Sequence, residues 1–259
     1  MSDTNEDILS SKGKFQQVLD NALSSALNFP GIKVDRNDFL RKSLESIHIN
    51  NEDIDKAIND SPLKVLSESQ IKKLVKSTKT YHRTHASVVS GGLGIPGGFA
   101  MVGTIPADIL QYFIQVFIFA QKISFLYGFP QLRSDDEFKN MMIIALGVAA
   151  GVDQANQGLK FMSKAIQRKV LQKISEQQGK WINQIVFNVF RAVGITLNKQ
   201  LVKSAAKKVI PLASAFISAG ITYLVFGAEA DKIIKGFEEN RISDDNKNLE
   251  GDLEEDIVQ

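Results

Sequence analysis

Residues 106–128 read PADILQYFIQVFIFAQKISFLYG. From Ile109 to Gln121 the stretch is uncharged, and apolar residues fill almost every position instead of alternating with polar ones. A run of this length without period-2 patterning reads as a helix, from about Pro106 to Tyr127, with Gly128 ending it. The uncharged core is too short to span a bilayer, which takes about 20 apolar residues, so we read a buried core helix.

The same character continues on both sides. Upstream, Ala86 to Ala107 holds 22 residues without a charge, six of them glycine, broken by Pro96 and Pro106. Glycine and proline summed over that length disfavour one continuous helix. We expect helix, Gly-Pro turn, helix, with Gly91, Gly92, Gly94, Pro96, Gly97 and Gly98 forming the turn. Small residues there let two helix backbones approach closely. Downstream, Ser134 and Glu137 have the spacing of a capping box. It opens a very apolar helix from Phe138 to about Val152, too short in its uncharged part to span. Val209–Ala228 is a further uncharged run of 20 residues, long enough to span but diluted by Pro211, Ser214, Ser218, Gly220 and Thr222, so it reads as a buried core helix or, alternatively, an inserted one.

The remaining segments are amphipathic. Phe15, Val18, Leu19, Ala22, Leu23, Ala26 and Leu27 repeat at helical spacing, and Pro30-Gly31 stops them. A short helix with Phe39, Leu40, Leu44 and Ile47 follows. Asn51 is placed to cap a third, with Ile54, Ala57 and Ile58. Ser61-Pro62 starts the next helical stretch, which runs to about Ser87. Met162, Ala165, Ile166, Val170 and Ile174 mark a basic helix ending near Gly179. Ile182, Ile185, Val186, Val189, Phe190 and Val193 mark another, and Ile233, Ile234 and Phe237 a final short one. The fold class is therefore all-α: a single large multi-helix domain over 14–238 around a central Gly-rich apolar hairpin. A flexible arm (1–13) precedes it and an acidic disordered tail (239–259) follows.

Of the 259 residues, 44% are hydrophobic and 23% charged, so the chain can bury a core. It has no cysteine, which excludes disulfides and thiolate metal sites. The start is polar and acidic, without an apolar leader. The expected location is cytoplasmic, against the inner face of the membrane. The net charge of +2 conceals an asymmetry: residues 229–259 carry eleven acidic and four basic side chains, a net of −7, leaving +9 for the rest. Residues 154–208 hold eleven Lys and Arg against one acid, Glu176. Basic helices beside apolar segments suit an anionic membrane surface. The candidate anion-binding residues are Lys160, Lys164, Arg168, Lys169, Lys173, Lys199, Lys203, Lys207 and Lys208. Aromatics are not interleaved with these, and no nucleic-acid reader motif is present, so nucleic acid is not an expected partner.

Motifs for chemistry are sparse. Gly92-Leu93-Gly94-Ile95-Pro96-Gly97 fits GxGxxG, but no strand precedes it, and we read it as the hairpin turn. No P-loop and no GxSxG elbow occur, and no cofactor is expected. His82 and His85 lie at i, i+3 without a carboxylate to complete a metal set, and we read them as a basic helix flank. Asp108, Gln111 and Gln115 make a polar stripe on an apolar helix. Asp108 fits the first helical turn, where the helix dipole favours an acid, or alternatively a polar core site. Asp108, His82 and His85 are the candidates for catalysis.

Ser90-Gly91-Gly92-Leu93-Gly94-Ile95-Pro96-Gly97-Gly98, then Pro106-Ala107-Asp108, Ala120 through Tyr127-Gly128-Phe129, and Asp135-Asp136-Glu137 opening an apolar helix, together resemble the EcsC protein family. The resemblance covers roughly 80–152, with weaker helical similarity to about 228. It implies a helical bacterial protein working beside a membrane, since the family is named for an operon that also encodes an ABC transporter. A membrane transporter is thus an implied protein partner. The family brings no accepted catalytic residues. Three functions follow as expectations. The first is a non-enzymatic membrane-associated protein acting in transport or secretion regulation. The second is a helical hydrolase using Asp108 with His82 or His85. The third is a soluble interaction module of effector or immunity type.

Overall fold

Helix ends in this chain are set by side chains that the sequence places beside them. The computed structural model describes residues 17, 20–89, 107–132, 134–167, 182, 188 and 219–242. Helix α1 spans 20–27 and α2 spans Arg36–Glu45. Asp35 caps α2, accepting from the Asp38 backbone N–H at 2.8 Å. Helix α3 covers Asn51–Asn59, and its cap is Asn50, not the expected Asn51. Asn50 is the residue with extended backbone, and its side chain accepts from Asp53 N–H at 2.9 Å. Ser61-Pro62 starts only a 3-10 turn, Pro62–Lys64. Helix α4, Glu68–Val89, has a separate start, where the Ser67 N–H donates to Gln70 Oε1 at 2.8 Å and Gln70 N–H returns to Ser67 Oγ at 3.3 Å.

Helix α5 is Ala107–Leu126 and α6 is Asp135–Ala150. The Ser134–Glu137 capping box forms in both directions, at 3.1 and 3.2 Å. Both helices end in the same way. Gly128 and Gly151 have φ of +86° and +76°. Phe129 N–H donates to Ser124 O while Gly128 N–H donates to Phe125 O, and Val152 and Gly151 repeat the pattern onto Gly147 and Val148. The residues after the glycines, Phe129 and Val152, are buried, which fixes the direction the chain leaves. Helix α7 is Asp153–Gln167 and α8 is Ala219–Glu239. The sequence suggested an uncharged run followed by a separate short helix. From Ala219 onward the two are one helix, whose glycines serve close packing instead of breaking it. A Cβ at Gly236 would lie 3.1 Å from Val148 and 3.2 Å from Leu159.

The fold is all-α; among the described residues there is no strand. Helix α5 is its axis. It packs against α2, α4, α6, α8 and the 3-10 turn, while α8 also lies on α4, α6 and α7. No residue from Leu110 to Leu126 is exposed. Phe113, Phe117 and Phe119 are fully buried, and two T-shaped pairs, Phe119–Phe226 and Phe129–Phe237, join α5 and its C-terminal turn to α8. Among the described residues no helix is long and apolar enough to cross a membrane. The glycine turn expected at 90–106 lies outside the described residues, as do the arm at 1–13 and the tail beyond Ile242. Residues 240–242, read with that tail, are tied to the domain. Ile242 N–H donates to Tyr127 O at 3.0 Å, and Ser163 Oγ donates to Asn240 O at 2.7 Å.

Two glycines with positive φ separate strain from crowding. A Cβ at Gly31 meets nothing within 4 Å, whereas one at Gly128 lies 2.7 Å from the Ile242 carbonyl oxygen. Gly31→Ala should cost about 1 kcal/mol, the strain alone, and Gly128→Ala about 3 kcal/mol because backbone must also move. Urea unfolding of the two variants checks this. Equal losses would show that the 240–242 return does not hold the end of α5.

Candidate functional site

A buried helix must pair every polar group it carries. Helix α5 presents Tyr112, Gln115 and Lys122 along one strip with Phe119, and α4 and α8 close over that strip. From α4, the His82 ring lies edge-on against Phe119 at 5.6 Å and is only 2% exposed. Its Nδ1 is 3.1 Å from Gln115 Oε1, and its Nε2 is 3.1 Å from Lys122 Nζ. A lysine ammonium can only donate, so Nε2 accepts and the ring proton sits on Nδ1, where Gln115 Oε1 accepts it. The order Gln115–His82–Lys122 thus fixes one tautomer. Lys122 Nζ also lies over the rings of Tyr81, at 5.2 Å, and Phe39, at 5.8 Å. Burial lowers the Lys122 pKa.

One turn back along α5, the Tyr112 hydroxyl donates to the Glu229 carboxylate of α8. Both residues are half-buried. Burial pushes the Glu229 carboxyl up to about 7, partly offset by the Tyr112 hydrogen bond and the Lys232 charge. The Tyr112 hydroxyl is raised well above its usual value, first by burial and then by the Glu229 charge and hydrogen bond. Lys232 donates to Ala149 O at 3.1 Å, near the end of α6. Lys79 of α4 pairs with Asp231 of α8 outside this buried pair.

Of the sequence candidates, His82 is in the core and not on a solvated flank, because its two nitrogens are matched by α5 groups. Gln115 of the polar stripe is its partner, and Gln111 is half-buried. Asp108 is the second residue of α5. The side chains of Asp108 and His85 lie outside the described residues, and with them the hydrolase set of Asp108 with His82 or His85. Lys160 is exposed and Lys164 half-buried on α7. Arg168, Lys169, Lys173, Lys199, Lys203, Lys207 and Lys208 lie outside the described residues, as do Gly91, Gly92, Gly94, Pro96, Gly97 and Gly98. Among the described residues no three His, Asp or Glu side chains converge on a metal position.

Sequence reasoning missed Lys122, Tyr112 and Glu229. A signal existed for two of them. Lys122 is the only charge between Asp108 and Arg133, and Glu229 is the first charge after the uncharged run 209–228. A lone ionisable group in so apolar a setting must find a buried partner.

The fold and site define an all-α protein with a histidine-centred polar chain between two helices. No protein family, curated protein or solved structure matches the chain.

Glu229 gives the site a pH signature. Its folded value of about 7 exceeds the ordinary 4.5, so between those values the folded state holds a proton that the unfolded chain has lost. Stability should therefore fall as pH rises through that window, by at most about 3 kcal/mol from this group. Urea midpoints from pH 4.5 to 8 should show the decline in the native protein and a flatter profile in Glu229→Gln. Parallel profiles would mean that the carboxyl is hydrated.

Proposed function

We propose that this protein binds peripherally to an anionic membrane surface, at the cytoplasmic face, and acts there without catalysis in the regulation of transport or secretion. The observation that carries the reading is the charge of residues 154–208, eleven cations to one acid. Elsewhere the surface neutralises itself locally. Lys42–Asp38, Lys56–Glu52, Lys64–Asp60 and Lys72–Glu68 are ion pairs one turn apart, at 2.7–2.9 Å. A segment with a single acid cannot balance its charge from within, which suits an external anion. Helix α7, which opens the segment, turns Ala155, Leu159, Met162 and Ala165 inward and leaves Lys160 at the surface. Tyr81 is the one large exposed hydrophobic side chain among the described residues, which favours electrostatic attachment over insertion by this part of the chain. The resemblance to the EcsC family supports the same setting and a transporter as protein partner.

Each engaged Lys or Arg contributes about 1 kcal/mol near an anionic surface, screened over about 8 Å at physiological salt. Sedimentation with phosphatidylserine vesicles should pull the protein down at low salt, phosphatidylcholine vesicles should not, and added salt should release it. Changing Lys199, Lys203, Lys207 and Lys208 together to Glu should abolish most binding, and deleting 243–259 should strengthen it. Failure to sediment with either vesicle at low salt would leave the soluble interaction module as the better reading.

A further inference from the structure

The Gln115–His82–Lys122 chain has the arrangement of an activated nucleophile: an amine against a base, and the base oriented by a third group. Gln115 Oε1 holds the Nδ1 proton of His82, so the Nε2 lone pair points at Lys122 Nζ, 3.1 Å away. The histidine is held on its other sides by Phe119 and by Tyr81, whose ring is 5.3 Å from it. Such packing gives the base a fixed orientation at no cost during a reaction.

The amine is reachable. Lys122 is half-buried, and it lies under Tyr81, whose 53% exposure makes it the outlying large hydrophobic side chain of the described surface. Phe39 forms a second wall over Nζ. Two rings beside an amine offer planar apolar faces to an aromatic group arriving from solvent. On α4, Lys79 pairs with Asp231 and the Arg83 guanidinium lies against Gly227; on α2, beside Phe39, Asp38 pairs with Lys42 and Arg41 with Asp55.

We propose that Lys122 is an imine-forming nucleophile for small aromatic aldehydes, with His82 as its acid–base partner and Gln115 as the residue that positions His82. The neutral amine attacks the carbonyl carbon, forming the N–C bond. One amine hydrogen passes to His82 Nε2 and from there to the former carbonyl oxygen, giving a carbinolamine. The C–O bond then breaks, and the second nitrogen hydrogen leaves with that oxygen as water while C=N forms. No oxidant or reductant takes part. Burial, which lowers the Lys122 pKa, raises the fraction of amine available near neutrality.

The test labels the full chain with benzaldehyde, traps the imine with cyanoborohydride, and maps each lysine by peptide mass spectrometry. Lys76, exposed on α4, is the internal reference. Lys122 should label about tenfold faster than Lys76 in the native protein, below the roughly hundredfold that a positioned acid–base group commonly supplies. The advantage should vanish in urea. The Lys122 rate should also reach half its plateau at lower pH than the Lys76 rate. Gln115→Leu should slow Lys122 and move its pH profile toward that of Lys76, and Gln115→Glu, which keeps the acceptor, should restore it. Lys122→Arg should remove the adduct. Circular dichroism and melting confirm that each variant folds; should Gln115→Leu fail to fold, the native rate ratio and pH profile decide alone. Labelling of Lys122 no faster than Lys76 at any pH, or a fast rate indifferent to Gln115→Leu in a folded variant, overturns the proposal.

Discussion

Helix α5 leaves none of its residues from Leu110 to Leu126 fully exposed, and the rest of the structure depends on that constraint. An apolar helix could bury itself against many surfaces with similar gain. The polar groups on α5 remove that freedom, because each needs a partner at a fixed height along the axis. Gln121 donates to Ile32 O at 2.8 Å and to Phe117 O at 3.1 Å, and accepts from Val34 N–H at 2.8 Å. It thereby pins the segment between α1 and α2. Gln115 and Lys122 fix α4 through His82, and Tyr112 fixes α8 through Glu229. No buried side-chain polar atom among the described residues lacks a partner. Apolar area supplies the drive, and these few polar matches select the register.

Arg36 extends the same logic to the N-terminal helices. Its buried guanidinium donates to Ile58 O at 2.7 Å, Phe129 O at 3.2 Å, and Ala57 O and Asp60 O at 3.5 Å. The last carbonyls of α3 have no partner within their own helix, and a cation is the favourable group to meet them. One side chain thus joins α2, the end of α3 and the turn after α5. Its backbone N–H is held by Gln131 at 3.0 Å. The return of the chain at Ile242 to Tyr127 O closes the opposite edge of that same turn. The glycine-ended turn 127–129 is therefore a junction of four chain segments, which explains why a side chain at Gly128 meets backbone.

Much of this was legible in the sequence, for physical reasons that can be named. The capping box at Ser134, the stop at Gly128 and the apolar faces of α2 and α3 are local features, set by neighbours within four residues. The burial of α5 was legible because no face of it is polar enough for solvent. The error at Asn50/Asn51 came from two adjacent residues of equal capping chemistry, between which only backbone conformation chooses. The continuity of α8 was hidden because glycine weakens a helix in isolation, while Gly236 is favoured by close contact with α6 and α7. His82 was misplaced because a histidine among Lys, Arg and Thr reads as surface. What overrides that reading is Gln115, 33 positions away. Pairings such as His82–Lys122 and Tyr112–Glu229 join helices through tertiary contact alone, so no spacing within one helix can announce them.

The membrane reading and the reactive-lysine reading occupy different parts of the molecule and obey different physics. Attraction to an anionic surface needs many mobile, hydrated cations, each weak and each screened by salt. Nucleophilic chemistry needs one amine stripped of water and held against a base. This chain separates the two requirements by position. Its cations crowd 154–208, where acids are nearly absent. Lys122 is the one lysine of α5, with aromatic rings where Lys42, Lys56, Lys64 and Lys72 have carboxylates. A carboxylate beside Lys122 would raise its proton affinity and quench the amine, as Glu52 and Glu68 do for Lys56 and Lys72. The replacement of an acid by a neutral histidine as the partner of a buried lysine is what distinguishes a nucleophile from a salt bridge.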